Sequence, residues 1–181
     1  MFLFLSRFTC IVLTEIWLTP ETDNCFKIPG FYCFNLYRNR HGGGIKIFLR
    51  HVVQAKLLDE YTFIGNLFEA ITIELVFGQN KVFLCCVYHP PTPSVAENND
   101  FIDSFINHIK LLSNVGVPLV TAGDFNLNLF NPNKYVYVDH FVNSMFEVGM
   151  APIITIPTKV NPDNHLTRFS LIDHDKRSLN T

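Results

Sequence analysis

The run Lys81 to Val87, broken at once by His89-Pro90-Pro91-Thr92-Pro93, limits most sharply what this chain can fold into. Lys-Val-Phe-Leu-Cys-Cys-Val reads as a buried central strand, entered through the turn Gly78-Gln79-Asn80. Proline donates no backbone hydrogen bond and restricts the residue before it, so a loop must begin near Tyr88. From Asn99 onward Phe101, Ile102, Phe105, Ile106, Ile109 and Leu112 recur at helical spacing. Asp100 and Asp103 sit near the start and Lys110 near the end, as the helix dipole favours. Val117 to Thr121 is a further buried strand, ending at Gly123.

Shorter elements flank this centre. Cys10 to Leu13 is short and β-branched, and Ile45 to Leu49 follows three glycines. Ile71, Ile73 and Leu75 alternate with Thr72 and Glu74, the period of a half-buried strand. A second helix is expected from about Asp139 to Val148, closing on Gly149, and a late strand at Ile153 to Ile156. Strands mixed with two amphipathic helices indicate α/β layers, and the absence of a repeat or linker indicates one domain over 1–181.

Nothing global marks a nucleic-acid binder: 17% of residues are charged and the net charge is −2. Between Asp23 and Asp59, however, the charged residues are all basic, namely Lys27, Arg38, Arg40, Lys46, Arg50 and Lys56. They form either a cationic strip or a surface balanced by acids from elsewhere in the fold. Five cysteines, with no C-x-x-C pair, point to a reduced intracellular protein without structural zinc, Cys85 and Cys86 serving as small hydrophobes. Arg7 and Glu15 interrupt the apolar first eighteen residues, so a buried strand is expected there rather than a signal peptide or membrane span.

Three segments carry chemistry. Thr121-Ala122-Gly123-Asp124-Phe125-Asn126-Leu127-Asn128 ends a buried strand and sets a carboxylate and a carboxamide two residues apart, on one side if the backbone is extended. Such a pair suits a phosphate and its attacking water; the same residues equally suit an Asx-rich turn. Glu15, just beyond Cys10 to Leu13, needs a partner, either a metal ion or a Lys or Arg. In Leu171-Ile172-Asp173-His174 adjacent strand residues face opposite ways, so Asp173 rather than His174 is expected to face a site. His41-Gly42-Gly43-Gly44 is no esterase oxyanion hole, because the G-x-S-x-G elbow is missing, nor a P-loop; it reads as a glycine turn.

In order, Leu13-Thr14-Glu15-Ile16-Trp17-Leu18, Gly42-Gly43-Gly44-Ile45-Lys46-Ile47, Val87-Tyr88-His89-Pro90-Pro91, Gly123-Asp124-Phe125-Asn126-Leu127-Asn128, Ile156-Pro157-Thr158-Lys159 and Leu171-Ile172-Asp173-His174 resemble the endonuclease domain of non-LTR (LINE-type) retrotransposons. That domain belongs to the endonuclease/exonuclease/phosphatase superfamily, and the resemblance covers about residues 9 to 175. It implies a DNase I-like four-layered α/β sandwich of two packed mixed sheets flanked by helices. It implies Mg²⁺ (or Mn²⁺) at Glu15, phosphate contact by Tyr88, and Asp124 with Asn126 around the attacking water and leaving oxygen. Asp173 resembles the acid that orients a catalytic histidine, while Arg38, Arg40, Lys46 and Thr158 are the expected nucleic-acid contacts. The implied reaction is nicking of DNA to leave a 3′-hydroxyl, in an intracellular, nuclear setting, beside a reverse transcriptase domain and with no membrane or obligate protein partner.

Against that pattern the chain is expected to be truncated at both ends. An initial Asn-bearing strand with its following helix, and a closing Ser-Asp-His strand, have no counterpart. His174 directly follows the orienting acid and is not the general-base histidine, and His89 stands where Arg is common. These departures predict weak or no turnover and exposed strand edges prone to aggregation. Two alternatives stay open: a non-catalytic relic that binds nucleic acid, and a superfamily phosphoesterase acting on inositol phosphates or phospholipids.

Overall fold

A computed structural model describes residues 8–23, 26–38, 42–127 and 135–153, together with the backbone of a strand at 168–173. Three strands form a small antiparallel sheet in the order β1-β3-β2: β1 (Cys10–Thr14), β2 (Phe31–Leu36) and β3 (Ile45–Arg50). The larger sheet runs β4-β6-β7-β8-β10-β9, built from β4 (Gln54–Leu57), β6 (Glu69–Phe77), β7 (Asn80–Tyr88), β8 (Leu119–Asp124), β9 (Met150–Pro152) and β10 (Arg168–Asp173). A short β5 (Phe63–Ile64) pairs with β6. A single 3-10 turn at Asp59–Tyr61 and the helices α1 (Val95–Ser113) and α2 (Val136–Glu147) complete the described elements. Among the described residues no helix is long and apolar enough to cross a membrane.

The period-2 alternation of β7 assigns its two faces to different cores. Phe83, Cys85 and Val87 pack with Phe101, Phe105 and Ile109 of α1 and with Phe141 and Met145 of α2. Leu84, Cys86 and Tyr88 face the other way, meeting Ile45, Ile47 and Leu49 of β3 and Ile71 and Ile73 of β6. The described layers are therefore helices, large sheet and small sheet, with Cys85 and Cys86 at 0% exposure on opposite sides of one strand. β6 is covered on both faces rather than half-buried: Thr72 is buried, and its Oγ1 donates to the Tyr61 carbonyl at 2.9 Å.

Helix α1 starts four residues before the apolar periodicity does. Ser94 is its N-cap, its hydroxyl accepting the Glu97 N–H at 3.2 Å, so a Ser-x-x-Glu signal lay upstream of the first apolar position. Helix α2 likewise begins at Val136 rather than Asp139. The late strand closes earlier than expected, at Met150–Pro152, and residues 154–156 of that expectation lie outside the described residues. The chain leaves β7 over the helical layer and returns as β8 parallel to it, with Tyr88 level with Asp124.

One core residue makes stability depend on pH. His108 of α1 is 7% exposed among the rings of Tyr61, Phe63 and Phe68, and burial pushes its imidazole down from 6.5 to about 4. The unfolded chain then takes up the proton first. The stabilisation is complete above about pH 6.5 and lost as pH falls towards 4, a loss of about 3 kcal/mol. Urea midpoints at pH 7 and pH 4 should show that difference in the native chain and a clearly smaller one in His108→Phe.

Candidate active site

Residues distant in sequence meet where the two sheets come together at the Tyr88 end of β7. The antiparallel register with β6 sets Tyr88 opposite Glu69, and the parallel register with β8 sets it opposite Asp124. From the small sheet, Glu15 follows β1 and accepts the Tyr88 hydroxyl at 2.6 Å. Burial, that hydrogen bond, and the charges of Glu15, Asp124 and Glu69 all raise the Tyr88 phenol well above its ordinary range. Tyr88 therefore stays a neutral donor at any working pH.

Glu15 is exposed, and among the described residues nothing but the Tyr88 hydroxyl bonds its carboxylate. Among the described residues no Lys or Arg pairs with it. Glu15 and Trp17 both have φ 54, the left-handed region, which a bulky side chain like Trp rarely enters and which costs roughly 1–3 kcal/mol per residue. The bend is tied to the glycine turn: the Ile16 N–H donates to the Gly44 carbonyl at 3.4 Å, and the Trp17 N–H to the Gly43 carbonyl at 3.2 Å.

Asp124 is the last residue of β8, 6% exposed, and its Oδ1 accepts the Asn126 N–H at 3.2 Å. Asn126, at φ 48, sends Nδ2 to the His89 carbonyl at 2.7 Å. The two are thus brought together by an Asx turn and a left-handed residue, not by extended backbone with both side chains on one side. The turn and the site are the same object, because the turn keeps Asp124 level with Tyr88. Gly123, at φ 145, permits the approach: a Cβ there would lie 1.8 Å from the Val87 carbonyl oxygen.

Asp173 does not join this group. Strand β10 runs antiparallel to β8 with Arg168 opposite Asp124 and Ile172 opposite Val120, so it meets the site at Arg168. Asp173 is five residues further along, roughly 17 Å away at about 3.4 Å per residue. Lys46 is no part of a surface strip either: it is 1% exposed on β3, and its ammonium pairs with Asp23. Arg38 is 31% exposed and bonded through Nη1 to Glu69 at 2.9 Å. The basic stretch is therefore balanced by Asp23 and Glu69 at these two positions. Arg40 and Thr158 lie outside the described residues. His89, 2% exposed, donates from Nδ1 to the Leu67 carbonyl at 2.7 Å and stacks on Phe101, a core anchor rather than a phosphate contact.

Glu69 was missed in the sequence, and a signal was present. It shares the alternation phase of Ile71, Ile73 and Leu75, an acid in the buried phase of a strand, and it is 0% exposed. Its oxygens take the Arg38 guanidinium at 2.9 Å and the Gly44 N–H at 2.7 Å.

Among the described residues no three His, Cys, Asp or Glu cluster to hold a metal. The donor set suits a cation that needs few protein ligands. Mg²⁺ typically takes one or two carboxylates and completes its shell with water and substrate phosphate, and an exposed Glu15 fits that demand.

This arrangement can be compared with solved proteins. An AP endonuclease from Archaeoglobus fulgidus superposes with a TM-score of 0.67 at 10% identity over 96% of this chain and 80% of its own. The endonuclease domain of TRAS1, a telomere-specific non-LTR retrotransposon, gives 0.63 at 14% identity over 94% of this chain and 75% of its own. A 3′ phosphatase, NExo from Neisseria, bound to a product DNA hairpin, gives 0.60 at 14% identity over 93% and 78%. The fold is that of the DNase I-like endonuclease/exonuclease/phosphatase proteins. No protein-family profile and no curated protein sequence matches the chain.

Proposed function

We propose that this chain is a divalent-cation-dependent phosphodiester hydrolase acting on DNA, and that its particular reaction is the single-strand nicking of a non-LTR retrotransposon endonuclease. The observation that carries the reading is the hydrogen bond from Tyr88 to Glu15 beside Asp124, at a sheet edge shared by three separate strands. Support comes also from the fold, which the retrotransposon endonuclease and the DNA-bound phosphatase share.

Glu15 is the residue that would hold Mg²⁺ or Mn²⁺, which when bound supplies charge neutralisation to a phosphoryl group. The protein groups have their own parts. Asp124 accepts a proton from the attacking water. Asn126, through the carbonyl oxygen of its amide, receives a hydrogen bond from that water without adding charge near an anion. Tyr88, held neutral, donates without repelling phosphate, and it keeps Glu15 in place. Arg38 is the proposed contact to the nucleic-acid backbone, with Arg40 and Thr158 from outside the described residues. Among the described histidines, His51 stacks on Tyr32, His89 stacks on Phe101, His108 meets the edge of Phe63 and His140 lies beside Asp103, so none of these four rings is the proposed proton acceptor.

A competing reading is a DNA-binding module without chemistry. A substrate panel separates these. In Mg²⁺, supercoiled plasmid should become open circle while inositol polyphosphates and sphingomyelin are left intact. Release of phosphate from inositol polyphosphates, or of phosphocholine from sphingomyelin, with plasmid untouched would point to another phosphoesterase. Salt-sensitive DNA binding with no product would leave the binding module.

A further inference from the structure

The bend at Glu15 and Trp17 places two non-glycine residues at φ 54, a conformation that lasts only where surrounding structure fixes it. What fixes it is the glycine turn, since the Gly44 and Gly43 carbonyls receive the N–H groups of Ile16 and Trp17. That turn is itself held from beneath by one buried carboxylate. Glu69 Oε2 accepts the Gly44 N–H at 2.7 Å, and Oε1 accepts Arg38 at 2.9 Å. The fit leaves no slack: a Cβ on Gly43 would lie 2.2 Å from Glu69 Oε1 and 2.8 Å from Arg38 Cδ. Glu69 is also the direct cross-strand partner of Tyr88, whose hydroxyl fixes the other end of Glu15.

We infer that Glu69 is a positioning residue for Glu15: with Arg38 it clamps the Gly43-Gly44 turn and so aims the exposed carboxylate at the cation. The inference rests on the hydrolase reading for its functional meaning, but the clamp can be measured apart from catalysis. Glu69 touches neither the cation nor the substrate. It acts through the Gly44 N–H that it accepts and through the two backbone hydrogen bonds that tie the turn to Ile16 and Trp17, and it sits where β6 and β7 are already paired, so the frame does not depend on the ligand.

The test compares the full native chain with Glu69→Gln, which keeps the volume and removes the charge that grips Arg38. Glu74→Gln is the control: another β6 acid, in the opposite phase and paired with Lys81. Amide exchange at Ile16 and Trp17 is followed without metal or DNA, and the Mg²⁺ concentration for half-maximal plasmid nicking is measured beside it. Glu69→Gln should speed exchange at both amides by roughly tenfold or more and raise the Mg²⁺ requirement by a similar factor, with the maximal rate largely regained at high Mg²⁺. Glu74→Gln should change neither. If Glu69→Gln does not fold, Arg38→Met removes one arm of the clamp from the surface side and should shift the same two amides in the same direction. Native-like exchange at Ile16 and Trp17 in the folded variant overturns the inference. Faster exchange in a chain that never nicks DNA upholds the clamp and overturns the hydrolase reading.

Discussion

Asp124→Ala is expected to lower Mg²⁺-dependent DNA cleavage by at least about a hundredfold while leaving the fold intact. Removing a proton acceptor from a phosphodiester-cleaving site costs on the order of 10²- to 10⁴-fold, and the described part of this site offers no imidazole to take its place. Two features sharpen the expectation. Asp124 lies level with Tyr88 across parallel strands, so it cannot move away without unpairing β8 from β7. It also accepts the Asn126 N–H, so its loss releases the left-handed residue behind it. The fold should tolerate the change, because β8 is held by Val120 and Thr121 against β7 and by β10 on its other side. Initial rates of plasmid relaxation, with circular dichroism as a check on folding, decide this. A variant folded and as active as the native chain would move the chemistry away from Asp124.

The largest expected effect on stability comes from the residue before it. Gly123→Ala should abolish a cooperative thermal transition or shift it far down, a loss above about 4 kcal/mol. Two causes add. At φ 145 any side chain strains the backbone, and the added carbon would stand 1.8 Å from the Val87 carbonyl oxygen and 2.8 Å from its carbon. Neither atom can yield, because both belong to the backbone of the central strand pair. Gly78→Ala is the comparison: it too has a positive φ, 63, but nothing lies within 4 Å of its added carbon. It should cost about 1–2 kcal/mol, the strain alone. Equal melting temperatures for the two variants would show that the close approach at Val87 does not constrain the fold.

The sequence made some of this legible and hid the rest for identifiable reasons. Strand β7 could be read because apolar residues on both faces and the prolines after it leave one interpretation, and Ile71, Ile73 and Leu75 fixed the phase of β6. Glu15, Tyr88, Asp124 and Asn126 could be singled out as one family pattern, and the structure brings these four to one edge. How Asp124 and Asn126 come together was not readable, since a strand end followed by an Asx turn looks the same on paper as an extended pair. The position of Asp173 depends on a strand register set by partners elsewhere in the fold, and register places Arg168 where the acid was expected. Lys46 illustrates the limit for charges. Whether a lysine lines a surface or pairs with Asp23 depends on which segment folds over that side of β3. Glu69 was the reverse case, a buried acid announced by its phase and overlooked because its neighbours spelled an ordinary strand.

The most direct test follows supercoiled plasmid with the purified chain in Mg²⁺, in EDTA, and in Mg²⁺ with Glu15→Gln. Slow conversion to open circle in the first, none in the second, and recovery in the third only at markedly higher Mg²⁺ is the outcome predicted here. Cleavage that survives EDTA, or a Glu15→Gln chain with unchanged rate and metal dependence, would contradict a cation held at Glu15.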